Sequence, residues 1–121
     1  TKYKHMKLDF FIAKQHHRMW MINMKAFLLD IEDFEADKVA KHTDCMLGKW
    51  IYNEAIHVYK ENQNFIALES THQELHSVIV EIILAKKLDK IVDAQKKLSE
   101  LDSLSSKILG LLDSLEKDTL N

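Results

Sequence analysis

Proline is absent from this 121-residue chain, glycine occurs only at Gly48 and Gly110, and Cys45 is the single cysteine. Nothing in the side-chain pattern therefore forces helices to stop, and long uninterrupted helices are chemically allowed almost throughout. An all-α fold is expected. One cysteine cannot close an intrachain disulfide, and the N-terminus lacks the charged, apolar and small-residue order of a secretory signal. Both absences point to the reducing cytoplasm. Long apolar runs are also missing: Val78-Ile79-Val80 and Ile82-Ile83-Leu84-Ala85 are divided by Glu81, well short of the roughly 18 residues that span a bilayer. They read as a core helix. Charge of one sign is lacking too, because 17 basic and 19 acidic residues are mixed along the chain. No field is concentrated enough to attract nucleic acid or an acidic membrane.

What is present is enough for one domain, residues 1–121, with a modest core: 46% of the residues are apolar. The chain opens on Thr1, the expectation for a domain excised from something longer or for a chain that has lost a tag or leader. From about Lys7 to Asp33, one helical face carries Phe10, His17, Met24, Leu28 and Ile31, and a second carries Leu8, Phe11, Ile12, Met19, Ile22, Ala26 and Leu29. The two faces form either one broad stripe in a single core or a core face and a subunit interface. A short segment from Phe34 to His42 follows, then a turn where Thr43 or Asp44 caps a helix from Cys45 to Tyr59. Glu61-Asn62-Gln63-Asn64 reads as a polar connection. Thr71-His72-Gln73-Glu74 fits a capping box that starts a helix, or a new helical turn, running to about Lys87. The last helix, from about Leu88 or Asp89 to Lys117, places Ile91, Leu98, Ser105 and Leu112 on one heptad position and Ala94, Leu101, Ile108 and Leu115 on another, with Gly110 as its weak point. Together these elements predict an up-down-up-down four-helix bundle with a short extra helical segment in the middle.

The chemistry-bearing residues are one cysteine and three histidines. In order, the chain reads H-x-x-W at His17 and Trp20, C-x-L-G-x-W at Cys45 to Trp50, and H-x-x-x-H at His72 and His76. The last pair lies on one helix face that continues through Ile79 and Ile83, and His17 shares its stripe with Phe10 and Met24. An imidazole pointing into an apolar interior needs a partner, since an unpaired buried polar group costs roughly 1 to 3 kcal/mol. A single metal ion satisfies all three. A thiolate favours zinc over magnesium or calcium, and one sulfur with three nitrogens fills a tetrahedron, the coordination of a structural or sensory zinc rather than a catalytic one. Gly48 would let the Cys45 turn approach another helix closely. Taken singly, each piece has a plainer reading: a solvated histidine pair, an inert buried thiol and two core tryptophans.

The ordered run, with 24 residues between the first two motifs and 21 between the last two, resembles the chemoreceptor zinc-binding family. These are small helical domains attached to bacterial chemotaxis receptors and diguanylate cyclases and also found alone. The resemblance covers nearly the whole chain. It implies that His17, Cys45, His72 and His76 bind one zinc ion and that the domain forms a homodimer in the cytoplasm. The family often carries an acidic residue before its first histidine, where this chain has His16. His16 projects about 100 degrees from His17 and reads as a surface, interface or outer-shell group. His5, His42 and His57 match no motif and read as exposed or locally packed.

Two further readings compete. Glu54-Ala55-Ile56-His57 and Glu69-Ser70-Thr71-His72 are both E-x-x-H units, which di-iron bundles place on two helices to make oxidases or oxygen carriers. That scheme leaves Cys45 without a role, and Glu69 precedes the Thr71 capping signal. Alternatively, zinc merely staples a dimerisation bundle. The reading adopted is a regulatory, non-enzymatic domain that senses oxidants such as hypochlorous acid, or zinc level, through Cys45 and regulates chemotaxis or cyclic di-GMP signalling through a linked or separate effector.

Overall fold

The computed structural model describes residues 2–30 and 45–120, with the side chains of residues 2–9, 23, 26–30 and 120 left aside. The expected segment Phe34–His42, the caps Thr43 and Asp44, and the side chain of His5 lie outside the described residues. α1 spans Lys2–Asp30. A second rod follows as α2 (Met46–Trp50), a π-helical turn (Ile51–Ala55) and α3 (Ile56–Tyr59). α4 spans Gln63–Lys87 and α5 spans Ile91–Leu120. No strand occurs among the described residues.

Side-chain contacts fix the directions. Phe10 packs on Trp50 at 5.0 Å and on Tyr59 at 5.9 Å between ring centroids, whereas His16, further along α1, lines a groove with Met46. The rod therefore runs antiparallel to α1. Lys14 pairs with Asp113 and Glu116, and Lys25 with Asp102, so α5 also opposes α1. Asn64 at the start of α4 bonds Asp118 near the end of α5, while Lys97 bonds Glu81. The result is an all-α bundle with up-down-up-down order. Its centre holds Phe10, Ile51, Phe65, Leu68, Leu75, Ile79, Ile82, Leu101, Ile108, Leu112 and Leu115, each 0–1% exposed. Burial of this kind stabilises by about 1.5–3 kcal/mol per large side chain before entropy is charged.

Three local features differ from the sequence expectation. α4 begins eight residues before Thr71, because Asn62 caps it by accepting from the Asn64 and Phe65 N–H groups at 2.8 and 3.2 Å. The polar stretch around Asn62 is thus a helix start rather than an extended connection. Thr71 and His72 are interior to α4 and buried, so His72 is not near a helix N-terminus. Cys45 itself, rather than Thr43 or Asp44, caps the second rod. In α5 the heptad position of Ala94, Leu101, Ile108 and Leu115 is buried throughout, but Ile91 is 63% exposed because the helix has only just left the connection there. That connection closes α4 by a Schellman motif: Asp89 N–H reaches Lys86 O, Lys90 N–H reaches Ala85 O, and Asp89 takes φ 57° where glycine is usual.

The two faces of α1 separate. Phe10, Ala13, His17, Met21 and Met24 are buried in the chain's own core, whereas Phe11, Met19 and Ile22 are 61–68% exposed and Ile12 is 46% exposed. The reading of one broad stripe within a single core is set aside for these positions. Leu8, Ala26, Leu28 and Leu29 belong to the side chains left aside.

Candidate metal centre

α4 delivers two imidazoles together because His72 and His76 are one turn apart on its buried face. They are 1% and 2% exposed, with ring centroids 4.7 Å apart in an edge-to-face arrangement. Cys45 arrives from the opposite rod. Its Sγ accepts the Gly48 N–H at 3.2 Å and lies 3.1 Å from His72 Nε2. Donor atoms of Cys45, His72 and His76 all fall within 4.8 Å of one another, the one such group of metal-competent side chains among the described residues.

His17 is placed differently. It is buried at 2% exposure and lines a small cavity of about 10 Å3 with Cys45 and His72, but it is not a member of that close group. Its Nε2 instead forms a 2.8 Å hydrogen bond with Ser105 Oγ on α5. Burial pushes the His17 imidazole down to about 4, with smaller contributions from the nearby His76 and Arg18 charges. The ring is therefore neutral at pH 7, the protonation state a metal ligand requires. A group of one soft sulfur and two imidazole nitrogens, with a third imidazole on the same cavity, fits zinc in donor type and number. The cavity has room for a single small occupant.

The surroundings refine the other sequence readings. Trp50 is a core aromatic, but Trp20 is half-buried and lies over the site, 5.1 Å from the His76 ring and stacked at 6.4 Å on His17. His16 lines the same small cavity and also a wider groove with Ile12, Met46, Lys49, Trp50 and Asn53, so it sits at the margin of the site. His57 is exposed, and no carboxylate joins the donor group among the described residues. The di-iron arrangement is thus not assembled there, even though Glu69 and His72 do lie on one helix. His42 lies outside the described residues.

Sequence reasoning placed Ser105 on the helix seam without noticing its partner. The signal was present: a hydroxyl stood between Leu98 and Leu112 on a core heptad position, where a polar group needs a bonding partner.

No curated protein and no solved structure matches the chain. Residues 17–83, over half of the chain, match the family model of the chemoreceptor zinc-binding domain, and that span begins at His17 and includes Cys45, His72 and His76. The chain belongs to the chemoreceptor zinc-binding domain family.

Proposed function

We propose that the domain is a cytoplasmic, non-enzymatic sensor that holds one zinc ion on His17, Cys45, His72 and His76 and reports a change at Cys45. The observation that carries this reading is the unequal burial of the four candidates. The three histidines are 1–2% exposed, whereas Cys45 is only partly buried. The one donor with redox chemistry is also the one whose residue is not fully buried.

Three neutral imidazoles and one thiolate leave zinc with a net local charge near +1. Hypochlorous acid would oxidise the sulfur by two electrons: the thiolate gains an S–O bond, the O–Cl bond breaks, and sulfenic acid and chloride are formed. A sulfenic acid is a poorer ligand, so the Cys45 end of the second rod loosens while α4 keeps its imidazoles. Zinc level is the alternative signal at the same site, with binding free energy becoming folding free energy. The output, in this reading, passes to chemotaxis or cyclic di-GMP signalling through a linked or separate effector.

The partner is a second copy of the chain, meeting on the exposed face of Phe11, Met19 and Ile22. No helix among the described residues is long and apolar enough to cross a membrane.

Zinc release on substoichiometric hypochlorous acid, followed with a chromogenic chelator beside intact mass, tests the oxidant reading. One zinc should be released per oxygen added at Cys45. Release that does not track Cys45 oxidation rejects it. Chelator titration addresses zinc level: zinc that leaves only on denaturation is a structural staple. A stable folded monomer at high dilution in sedimentation would rule out an obligate dimer.

A further inference from the structure

We propose that Ser105 is a positioning residue that holds His17 outside the metal site, so that completing the tetrahedron breaks a hydrogen bond between α1 and α5. This rests on the zinc reading above.

Two observations combine. His17 Nε2 is 2.8 Å from Ser105 Oγ, and His17 stands apart from the Cys45, His72 and His76 donors that lie within 4.8 Å of one another. Tetrahedral zinc holds its ligands at about 2.0–2.3 Å, which puts ligand atoms less than about 4 Å apart. The His17 ring therefore has to move toward the others, and it already lines the cavity it would enter. Moving takes the ring away from Ser105.

The hydroxyl has somewhere else to go. On the same helix Thr119 Oγ1 donates to Leu115 O, four residues earlier, at 3.0 Å. Ser105 can turn in the same way to the carbonyl of Leu101, an arrangement open to serine in any helix. Ser105 thus has two bonding states, one with the imidazole and one with its own helix. The ion pairs of Lys14 with Asp113 and Glu116, and of Lys25 with Asp102, flank it on both sides. They keep α1 and α5 in register while the ring turns. Metal occupancy is in this way felt on α5, which contributes none of the ligands.

Competition and support predict opposite signs. An outer-shell partner that orients a ligand strengthens metal binding, and losing it weakens affinity about 10- to 100-fold. A competitor does the reverse. A neutral hydrogen bond is worth about 0.5–1.5 kcal/mol net, so Ser105→Ala should bind zinc about two- to twelvefold more tightly in chelator competition. Ser105→Thr, which keeps a hydroxyl, should stay near the parent. Ring-nitrogen NMR of the parent supplies a readout independent of the variants: zinc addition should shift His17 Nε2 to a metal-bound value. Equal or weaker binding by Ser105→Ala, or zinc on Nδ1 with the Ser105 bond retained, overturns the proposal while leaving the zinc reading intact. A parent that binds no zinc removes both.

Discussion

α4 and the rod from Met46 to Tyr59 meet at one site but are built on different terms. α4 is a regular helix, capped at Asn62, closed by a Schellman motif and buried along Phe65, Leu68, Leu75, Ile79 and Ile82. The rod is interrupted after one α-turn by π-helical geometry, and its N-cap, Cys45, is partly exposed. Rotating His72 or His76 would disturb a packed core, where shape changes commonly cost about 1–3 kcal/mol. Shifting Cys45 disturbs contacts at a short turn, among them the Gly48 N–H to sulfur bond and the approach of Sγ to His72 Nε2, and leaves the packed core in place. The difference teaches that a site can combine fixed and adjustable candidate ligands simply by drawing them from elements of unequal regularity, and π-turns are often found beside functional sites.

Removing a ligand gives the largest effect and tests both sides together. In His72→Ala and in Cys45→Ala, zinc content by elemental analysis should fall from one per chain toward zero, and affinity by more than the roughly hundredfold that an outer-shell change costs. If Cys45→Ala retained stoichiometric zinc, the adjustable ligand would not be a ligand at all.

The comparison sharpens when zinc is absent. Leu75 is fully buried on α4, so Leu75→Ala should destabilise the apoprotein by about 2–5 kcal/mol in denaturant unfolding. Cys45→Ala removes a helix cap from a partly exposed position and should cost about 1 kcal/mol. Equal losses would mean that the rod is as rigid as α4.

The fold was legible because its evidence is periodic. Phe10 and Met24 mark the buried face of α1, and Leu101, Ile108 and Leu115 mark that of α5, at spacings only a helix brings into line. The start of α4 was less legible: Asn62 and Thr71 are both good caps in sequence, and the structure gives the capping bonds to Asn62, with Phe65 and Leu68 buried in the turns that follow. At the site, Cys45, His72 and His76 were recognisable by order and spacing, and their donors lie together. The position of His17 was not. Its bond to Ser105 joins residues 88 apart in sequence, and local spacing carries no information about such a pair.

Acid should reach the same contrast from the side of the buried imidazoles. His17 titrates at about 4 in the folded chain against 6.5 as its ordinary value, chiefly because burial disfavours the cation. Between those values the unfolded chain binds the extra proton, so folding stability falls as pH drops from about 6.5 to 4 and levels off below. The loss from His17 alone is about 3 kcal/mol at most, at 1.36 kcal/mol per pH unit. It should appear in apoprotein melts and shrink in His17→Gln. An unchanged profile in that variant would assign the acid sensitivity to other groups.

The smallest effect concerns a place where a regular helix is weaker than it needs to be. Gly110 is exposed in the middle of α5, and a methyl group added there meets no atom within 4 Å. Gly110→Ala should therefore stabilise the domain by about 0.5–1 kcal/mol, through helix propensity and a less flexible unfolded chain. If the long helices serve only as fixed supports, this gain leaves zinc affinity where it was, because the helices that carry the imidazoles are folded in either case. Thermal melts and chelator competition on the same variant decide the point. A change in affinity beyond the stability gain would show that α5 flexes when the site fills, and the division between fixed supports and an adjustable rod would have to be redrawn to include it.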